Sequence, residues 1–216
     1  MLKPIPDLVV DEKNHGYRYK GEWLATSVSE VTGIDITPVQ RAAFEKYKHG
    51  PDGWAARGEA IHAAMRLHLL DEPQVYDDKW SPWVETLLED SIFQGIELMA
   101  SEYPLCLRSN TQSIGGTLDA LWKLDIETEH VGSPFVVLAD LKTVSSAKAV
   151  SSRKPATAQL GGYASMLASH GLCSVTQCVT IVSGPSKCKV IREDVQDCLD
   201  AWDEALGKYN ALQPDW

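Results

Sequence analysis

The sequence is organised around the stretch Val136-Val137-Leu138-Ala139-Asp140-Leu141-Lys142-Thr143. Its four leading apolar residues follow the turn-prone Gly132-Ser133-Pro134 and are typical of a short buried strand. Side chains alternate between the faces of a strand, so Asp140 and Lys142 are expected on the same face. A carboxylate and an ammonium ending an apolar strand are unfavourable unless they pair, bind a metal or take part in chemistry. Taken alone, the stretch is most simply interpreted as an edge strand in which Asp140 and Lys142 form a salt bridge on a solvated face.

The composition is that of a globular protein with one substantial domain or two small ones. The chain has 216 residues, of which 44% are hydrophobic and 23% charged. It has no apolar run that could span a membrane, and its first residues lack a signal-peptide core, which predicts a cytosolic protein. The five cysteines are irregularly spaced without a C-x-x-C pair. We therefore expect reduced thiols and neither a zinc ribbon nor an iron–sulfur cluster.

Charge is segregated along the chain. The net charge of −10 disfavours a nucleic-acid partner if it is taken alone. Between Leu141 and Arg192, however, there is no Asp or Glu, which would place a positive strip on an acidic body and suits a polyanionic ligand. A lysine-bearing loop that only maintains solubility is the alternative. The cations of this segment are Lys142, Lys148, Arg153, Lys154, Lys187, Lys189 and Arg192.

Hydrophobic periodicity predicts an α/β domain with a mixed sheet and helices on both sides. We assign residues 54–216 to this core and residues 1–53 to an N-terminal hairpin and helical extension. The connection 144–154 is rich in Ser, Ala and Lys and is predicted to be flexible. Strands are predicted at 8–10, 17–19, 102–107, 111–124, 136–143, 173–182 and 187–191, and helices at 27–33, 38–47, 54–70, 80–100, 155–170 and 194–212.

Polar residues on these elements have both structural and functional interpretations. Gly58 lies inside a helix, where it costs nearly 1 kcal/mol relative to Ala, so something is expected to pack or bind close to its backbone. His62, one turn later, is either a core histidine or a ligand. Asp119 follows two glycines in a strand and is either a capping acid at a bulge or half of a metal site. Gln159 and Tyr163 are four residues apart on one helix face, as on many exposed polar surfaces.

Four motifs occur in a fixed order: Arg57-Gly58-x-x-x-His62, Gly116-x-x-Asp119, Asp140-x-Lys142 and Gln159-x-x-x-Tyr163. In this order they resemble the RecB-like branch of the PD-(D/E)XK nuclease superfamily, over the chain from about residue 27 to the last helix. Ser27-Val28-Ser29 also resembles the S-V-T element of the subgroup that includes the mitochondrial genome maintenance exonuclease and related phage enzymes. The sequence departs from the pattern by having Asp140 where Glu is common, and by lacking the cysteine quartet of the iron–sulfur relatives.

The resemblance implies a restriction-endonuclease-like core that hydrolyses phosphodiester bonds with Mg²⁺ or Mn²⁺. Hard divalent cations neutralise charge in the transition state and activate water, and aspartate oxygens suit them as ligands. By resemblance, Lys142 orients or deprotonates the attacking water and Tyr163 supports Gln159 or contacts the nucleic acid. The implied metal ligands are His62, Asp119, Asp140 and the carbonyl of Leu141; the implied catalytic residues are Asp119, Asp140, Lys142 and Gln159; and the candidate nucleic-acid contacts are Ser27, Arg57, Lys148, Arg153, Lys154 and Tyr163.

The leading hypothesis is a metal-dependent DNA exonuclease that acts on single-stranded or end-containing DNA in replication, recombination or repair. A nuclease-like fold that serves as a non-catalytic DNA-binding or assembly module is the second hypothesis. An unrelated α/β protein with accidental motif matches is the third. No membrane partner is expected, and the sequence leaves cleavage polarity, DNA-versus-RNA preference and oligomeric state open.

Overall fold

Residues 136–143 lie in a central strand of a six-stranded mixed sheet. The computed structural model describes residues 1–11, 16–50, 53–108, 112–124 and 134–212. The strands are β1 (Leu8–Asp11), β2 (Gly16–Tyr19), β3 (Glu22–Trp23), β4 (Thr26–Ser27), β5 (Ile96–Arg108), β6 (Ser113–Leu124), β7 (Phe135–Thr143), β8 (Gln177–Gly184) and β9 (Lys187–Glu193). The helices are α1 (Val28–Thr32), α2 (Pro38–Lys46), α3 (Trp54–Leu69), α4 (Ser81–Leu88), α5 (Ala147–Ser152), α6 (Thr157–Ser169) and α7 (Val195–Leu212), with 3₁₀ turns at Asp78–Trp80 and Ser91–Phe93.

The sheet has the order β4-β6-β7-β8-β9, with β5 also paired to β6. The β4–β6 and β7–β8 pairs are parallel, and the others are antiparallel. Strand β5 follows β6 along nearly its whole length, so β4 and β7 share the opposite edge of β6. On that edge β7 pairs with residues 120–124 and β4 with residues 114–115. The intervening residues 116–119 therefore border an opening within the sheet.

Helices cover both faces of the sheet, as predicted for an α/β domain. One core layer joins α1, α6 and α7 to the sheet and includes the buried Trp202. The other layer joins α3 and α4 to the opposite face and includes Trp122. Strand β7 contributes to both, because Leu138 faces the first layer and Leu141 faces the second. The near-continuous apolar run of β7 thus reflects a strand that is covered on both faces.

An antiparallel three-stranded sheet, β1-β2-β3, contains the predicted N-terminal hairpin. The predicted turn residues at 14 and 15 lie outside the described part of the chain. This sheet packs on the central one through Tyr17, since a Cβ at Gly115 would lie 2.4 Å from the Tyr17 ring. The division at residues 53 and 54 stays a prediction, although β4 and α1, from the first segment, belong to the central sheet and its core.

Five of the predicted helices are confirmed to within a few residues, and the remaining one is too long. The sequence predicts a helix over 80–100, but α4 ends at Leu88 and β5 begins at Ile96. Gly95, with φ of 66°, lies between the two elements, where most L-residues would be strained. From residue 96 onward, the apolar residues alternate with others as in a strand. Their spacing from the apolar residues of α4 matches a helical repeat by chance, which is why the predicted helix extends too far.

Two other sequence expectations are corrected by the structure. The connection 144–154, predicted to be flexible, contains α5, which Ser146 caps and which buries Val150 against Gly184. At Gly58 a Cβ would meet only Thr143 Oγ1, at 3.9 Å, so the expected close packing is not provided by the described residues. All five cysteines are free thiols, as predicted. No described helix combines the length and apolar character needed to cross a bilayer.

The contact between α6 and α7 gives a direct test of the fold. A Cβ at Gly161 would lie 1.9 Å from the carbonyl oxygen of Cys198, so Gly161→Ala is expected to lower the free energy of unfolding by about 2–3 kcal/mol. Gly207→Ala is the matched control, because a Cβ there meets no described atom within 4 Å and alanine favours the helix by about 1 kcal/mol. Urea denaturation measures both. Equal stabilities for the two variants would contradict the packing.

Candidate metal centre and active site

The candidate site lies where β6 and β7 separate. Their pairing runs from Leu124–Phe135 to Ala120–Ala139, and the next residues are Asp119 and Asp140. Beyond that point the Leu141 N–H donates to Asp119 Oδ2 at 2.6 Å, so a side chain replaces the backbone acceptor of a regular ladder. The N–H and C=O of one strand residue point to the same edge, which directs the Leu141 carbonyl towards this opening as well.

A second irregularity lies on the other side of Asp119. The β5–β6 register pairs residue 101 with 120 and 103 with 118, so Glu102 lies opposite Asp119. Glu102 has φ of 47°, in the left-handed region that a non-glycine residue seldom occupies. Such strained positions in sheets often occur at functional sites, where they redirect a side chain.

The strand alternation breaks at this pair. Ala100 and Tyr103 lie in the same core layer, although residues three apart in a regular strand face opposite sides. Leu118 and Leu121 of β6 show the same behaviour. The reversal in both strands therefore coincides with Glu102 and its partner Asp119.

Helix α3 adds an imidazole to the two carboxylates. His62 Nδ1 lies 3.5 Å from Asp119 Oδ1 and 3.6 Å from Glu102 Oε1. One ligand atom from each of these residues lies within 4.8 Å of the others, an arrangement that could hold a metal ion. We call His62, Glu102 and Asp119 the acidic triad. Glu102 was not identified from the sequence, because no motif marks it and only the β5–β6 register reveals its partner.

The remaining motif residues form a hydrogen-bonded chain next to the triad. The Lys142 ammonium lies 3.0 and 2.8 Å from the two carboxylate oxygens of Asp140, which confirms that these side chains share a face. Lys142 Nζ also donates to Gln159 Oε1 at 2.8 Å, and Gln159 Nε2 donates to the Tyr163 hydroxyl at 3.2 Å. A Cβ at Gly116 would lie 2.7 Å from the Tyr163 ring, so the ring fits at this position because residue 116 has no side chain.

The electrostatics of the triad reflect competition between burial and charge. Burial alone would lower the pKa of His62, but the carboxylates of Asp119 and Glu102 outweigh it and raise the pKa to about 10. Burial alone would raise the pKa of Asp119, but His62, Lys142 and the Leu141 N–H lower it. The two carboxylates thus create a negative potential at the His62 ring, the kind of environment in which a cation is stabilised.

Asp140 has a different environment from Asp119. Its burial, together with repulsion from Asp119, raises its pKa to about 6 although Lys142 and His62 act in the opposite direction. Asp140 Oδ2 is buried and makes no well-aligned hydrogen bond to any described residue, although the Lys142 ammonium lies 2.8 Å away. The pKa of Tyr163 is raised well above its usual value by burial and by the two aspartates. The Tyr163 hydroxyl thus stays protonated beside Gln159.

The structure brings some of the predicted site residues together and separates others. Asp140 lies outside the acidic triad, with Lys142 bound to its carboxylate, and whether it ligates a metal stays a prediction. Tyr163 is only 3% exposed, which favours the supporting role over direct contact with nucleic acid. Ser27 caps α1, where its hydroxyl accepts the Glu30 N–H in a capping box.

The predicted phosphate-binding residues lie at two places. Arg57 is buried with its guanidinium 6.0 Å from the Trp83 ring centroid, and its Nε has no hydrogen-bond partner among the described residues. Burial lowers the pKa of Arg57. Lys148, Arg153 and Lys154 are exposed on α5 and the segment that follows it.

Comparisons with known proteins give weak similarities. A scan against protein-family models finds no match, and a search of curated proteins finds no similar sequence. Among solved structures, a proposed exonuclease from Eubacterium rectale has a TM-score of 0.48 at 12% identity, covering 88% of this chain and 83% of the other. LHK-Exo, in complex with dAMP, has a TM-score of 0.39 at 12% identity, covering 88% and 87% of the two chains. Both neighbours are exonucleases by name.

The strained backbone at Glu102 can be measured separately from its carboxylate. Glu102→Gly and Glu102→Ala both remove the carboxylate, but only glycine adopts a positive φ freely. We expect the glycine variant to be more stable than the alanine variant, with a free energy of unfolding higher by about 1 kcal/mol. Urea denaturation in EDTA measures this difference. If the two variants unfold at the same urea concentration, Glu102 does not have the left-handed backbone described here.

Proposed function

We propose that the protein is a divalent-metal-dependent nuclease, a DNA exonuclease of the RecB-like PD-(D/E)XK type. The observation that carries this proposal is the acidic triad, which meets the Lys142–Asp140 pair at the opening between β6 and β7. The exonuclease names of the two structural neighbours agree with it. Action on single-stranded or end-containing DNA, and a role in replication, recombination or repair, are part of the proposal through the family resemblance.

The residues of the triad fit a hard divalent cation. They offer two carboxylates and one imidazole within a few ångströms, and a nitrogen ligand makes Mn²⁺ as acceptable as Mg²⁺. Asp140, with its poorly satisfied Oδ2, and the Leu141 carbonyl, which faces the same opening, are proposed to complete the ligand set. When bound, the cation supplies charge neutralisation at the phosphate and lowers the pKa of an attacking water.

The protein's own groups would position the reactants. Lys142 is proposed to orient the attacking water and to neutralise charge that develops on the phosphate, because its ammonium is held at the site by Asp140 and Gln159. Gln159 is in turn held by the buried Tyr163 hydroxyl. This row of hydrogen bonds fixes the Lys142 ammonium on the side of the opening that faces α6. His62 approaches the opening from α3, on the other face of the sheet.

A cationic surface beside the site would bind the phosphate backbone. Lys187 Nζ donates to Ser151 Oγ at 2.8 Å, and Lys189 Nζ to Ser151 O at 3.4 Å, so β9 adds two lysines to those of α5. Within the described residues, none of the cations of this α5–β9 surface forms an ion pair with a carboxylate. Helix α5 lies in the sequence between the strand of Lys142 and the helix of Gln159, and we propose that nucleic acid runs from the site onto this surface. The surface consists of Lys148, Arg153, Lys154, Lys187 and Lys189.

Metal binding and turnover should separate in variants of the site. Asp119→Asn and Glu102→Gln are expected to weaken Mn²⁺ binding by at least about tenfold, because each removes a charged ligand. Lys142→Met should retain most of the Mn²⁺ affinity but lower cleavage by about 100-fold or more, because it removes the group that positions the water. Calorimetric titration measures binding, and cleavage of end-labelled single and double strands in Mg²⁺, Mn²⁺ or EDTA measures turnover.

The control for these variants is Asp203→Asn, which removes an exposed acid on α7 and should alter neither quantity. Near-UV circular dichroism shows whether each variant keeps its packing. Cleavage in EDTA at the rate seen with metal would contradict the proposed function. Unchanged Mn²⁺ affinity in Glu102→Gln would remove Glu102 from the ligand set while leaving the nuclease proposal in place.

The α5–β9 surface predicts a salt dependence. Replacing Lys148, Arg153 and Lys154 together by Gln should reduce the slope of log affinity against log salt concentration by about 2, since each phosphate contact to a single strand contributes about 0.7. Fluorescence anisotropy with a labelled oligonucleotide in EDTA measures this slope. Lys3→Gln, which removes an exposed lysine elsewhere, is the control. An unchanged slope in the triple variant would show that nucleic acid does not cross this surface.

A further inference from the structure

Helix α2 has an exposed surface on all sides. None of its nine residues is buried, and Val39 and Phe44 are 80% and 51% exposed. Isolated helices shorter than about 12–15 residues are marginal in water, and most helices of globular proteins bury an apolar face. A capping box between Thr37 and Gln40 fixes the start of α2. The structure thus maintains a short helix whose apolar side chains contact solvent.

Three aromatic rings are exposed where α2 connects to α3. Phe44, Tyr47 and Trp54 are 51%, 63% and 40% exposed, and we call them the aromatic junction. The Trp54 indole N–H donates to the Phe44 carbonyl at 2.7 Å, and the Trp54 backbone N–H donates to the Tyr47 carbonyl at 3.1 Å. These bonds fix the backbone positions of the three rings relative to one another. The junction is therefore an ordered group of exposed rings rather than a set of scattered surface residues.

The charges around the aromatic junction are mainly positive. Lys46 Nζ lies 5.3 Å from the Tyr47 ring centroid, and Lys48 Nζ lies 5.9 Å from the Trp54 ring centroid. Arg41 is also exposed on α2, and the acids between residues 36 and 54 are Asp52 and Glu45, of which Glu45 pairs with Lys48 at 3.5 Å. This segment has a formal charge of +1 in a chain whose net charge is −10. A polyanion with exposed planar rings complements such a surface in both charge and shape.

The junction lies on the same helix as the candidate site. Trp54 begins α3, Arg57 lies one turn later, and His62 follows Trp54 by eight residues, which is about 12 Å along the helix axis. A strand whose phosphate lies at the acidic triad could therefore reach the junction within a few nucleotides. Arg57, whose Nε has no hydrogen-bond partner in the described part of the chain, lies between the two along α3.

We infer that the aromatic junction binds the unpaired bases of a single-stranded polynucleotide by stacking, and thereby directs the strand to the acidic triad. This inference rests on the proposed function and specifies its substrate as single-stranded. In a duplex the faces of the bases are covered by their neighbours, so the rings of the junction would have no surface to stack on. In a single strand each base offers a π face for stacking. Lys46, Lys48 and Arg41 would then interact with the phosphates that link the bases.

Stacking can be tested by changing the rings alone. Phe44→Leu and Tyr47→Leu keep apolar volume but remove the π face, and each is expected to weaken binding of a labelled oligothymidylate by about fivefold or more. Phe44→Trp and Tyr47→Phe keep a ring and should bind within about twofold of the unaltered protein. Fluorescence anisotropy in EDTA measures affinity without cleavage. The salt slope should not change in the leucine variants, because no charge is removed.

The control is Val39→Ala, which removes the most exposed apolar residue of α2 without removing a ring, and which should leave affinity unchanged. A blunt-ended duplex of two complementary strands serves as the second ligand, and its affinity should be the same for all variants. If the leucine variants bind oligothymidylate as the unaltered protein does, the inference is overturned while metal-dependent cleavage can still stand. If they lose affinity in a protein that does not cleave DNA, the junction is supported and the nuclease proposal fails.

Sedimentation velocity separates this inference from self-association. We expect the unaltered protein and Phe44→Leu to have the same sedimentation coefficient at the concentrations used for binding. A dimer that Phe44→Leu converts to a monomer would assign the junction to contact between copies of the chain, and would overturn the inference.

Discussion

The candidate site depends on one interruption in the central sheet, the separation of β6 from β7 after the Ala120–Ala139 pair. The Leu141 N–H would lack a partner there if Asp119 did not accept it at 2.6 Å. The same carboxylate lies 3.5 Å from His62, so Asp119 both satisfies the split backbone and anchors the acidic triad. Removing the Asp119 carboxylate would leave the Leu141 N–H without an acceptor and would leave His62 with Glu102 as its remaining carboxylate partner in the triad. Asp119 therefore supports both the backbone and the candidate site.

The two faces of the sheet contribute different chemistry to the opening. From the α3 side come His62 and the strained Glu102, which together with Asp119 favour a cation. From the α6 side comes the Lys142 ammonium, held by Asp140 and Gln159. The low dielectric of the surrounding core strengthens each of these interactions, and the opposite charges keep the buried carboxylates ionised or poised to ionise. A phosphate entering the opening would meet the ammonium on one side and the cation-binding group on the other.

Much of this arrangement could be predicted from local sequence. The apolar run of β7 and its alternating polar end placed Asp140 and Lys142 on one face, and the helical spacing of Gln159 and Tyr163 placed them in one stack, as the structure has them. The boundaries of α3, which carries His62, followed from its apolar stripe. These features depend on residues close together in the chain, where periodicity is informative.

The rest depends on contacts between distant segments. Glu102 has no sequence mark, because its role follows from the β5–β6 register and from a left-handed backbone that propensity does not indicate. The helix predicted over 80–100 was too long for a related reason, since residues 96–100 belong to a strand that pairs with β6. Helix α5 is stabilised by Val150 against Gly184, a contact between elements that composition alone could not reveal.

We propose that two carboxylates and an imidazole hold a divalent cation at the opening between β6 and β7. Anomalous diffraction from crystals of the protein soaked in Mn²⁺ tests it most directly. We expect one strong anomalous peak within coordination distance of His62, Glu102 and Asp119. A data set in which Mn²⁺ binds elsewhere, or in which His62 keeps its contacts to both carboxylates with no ion among them, would contradict it.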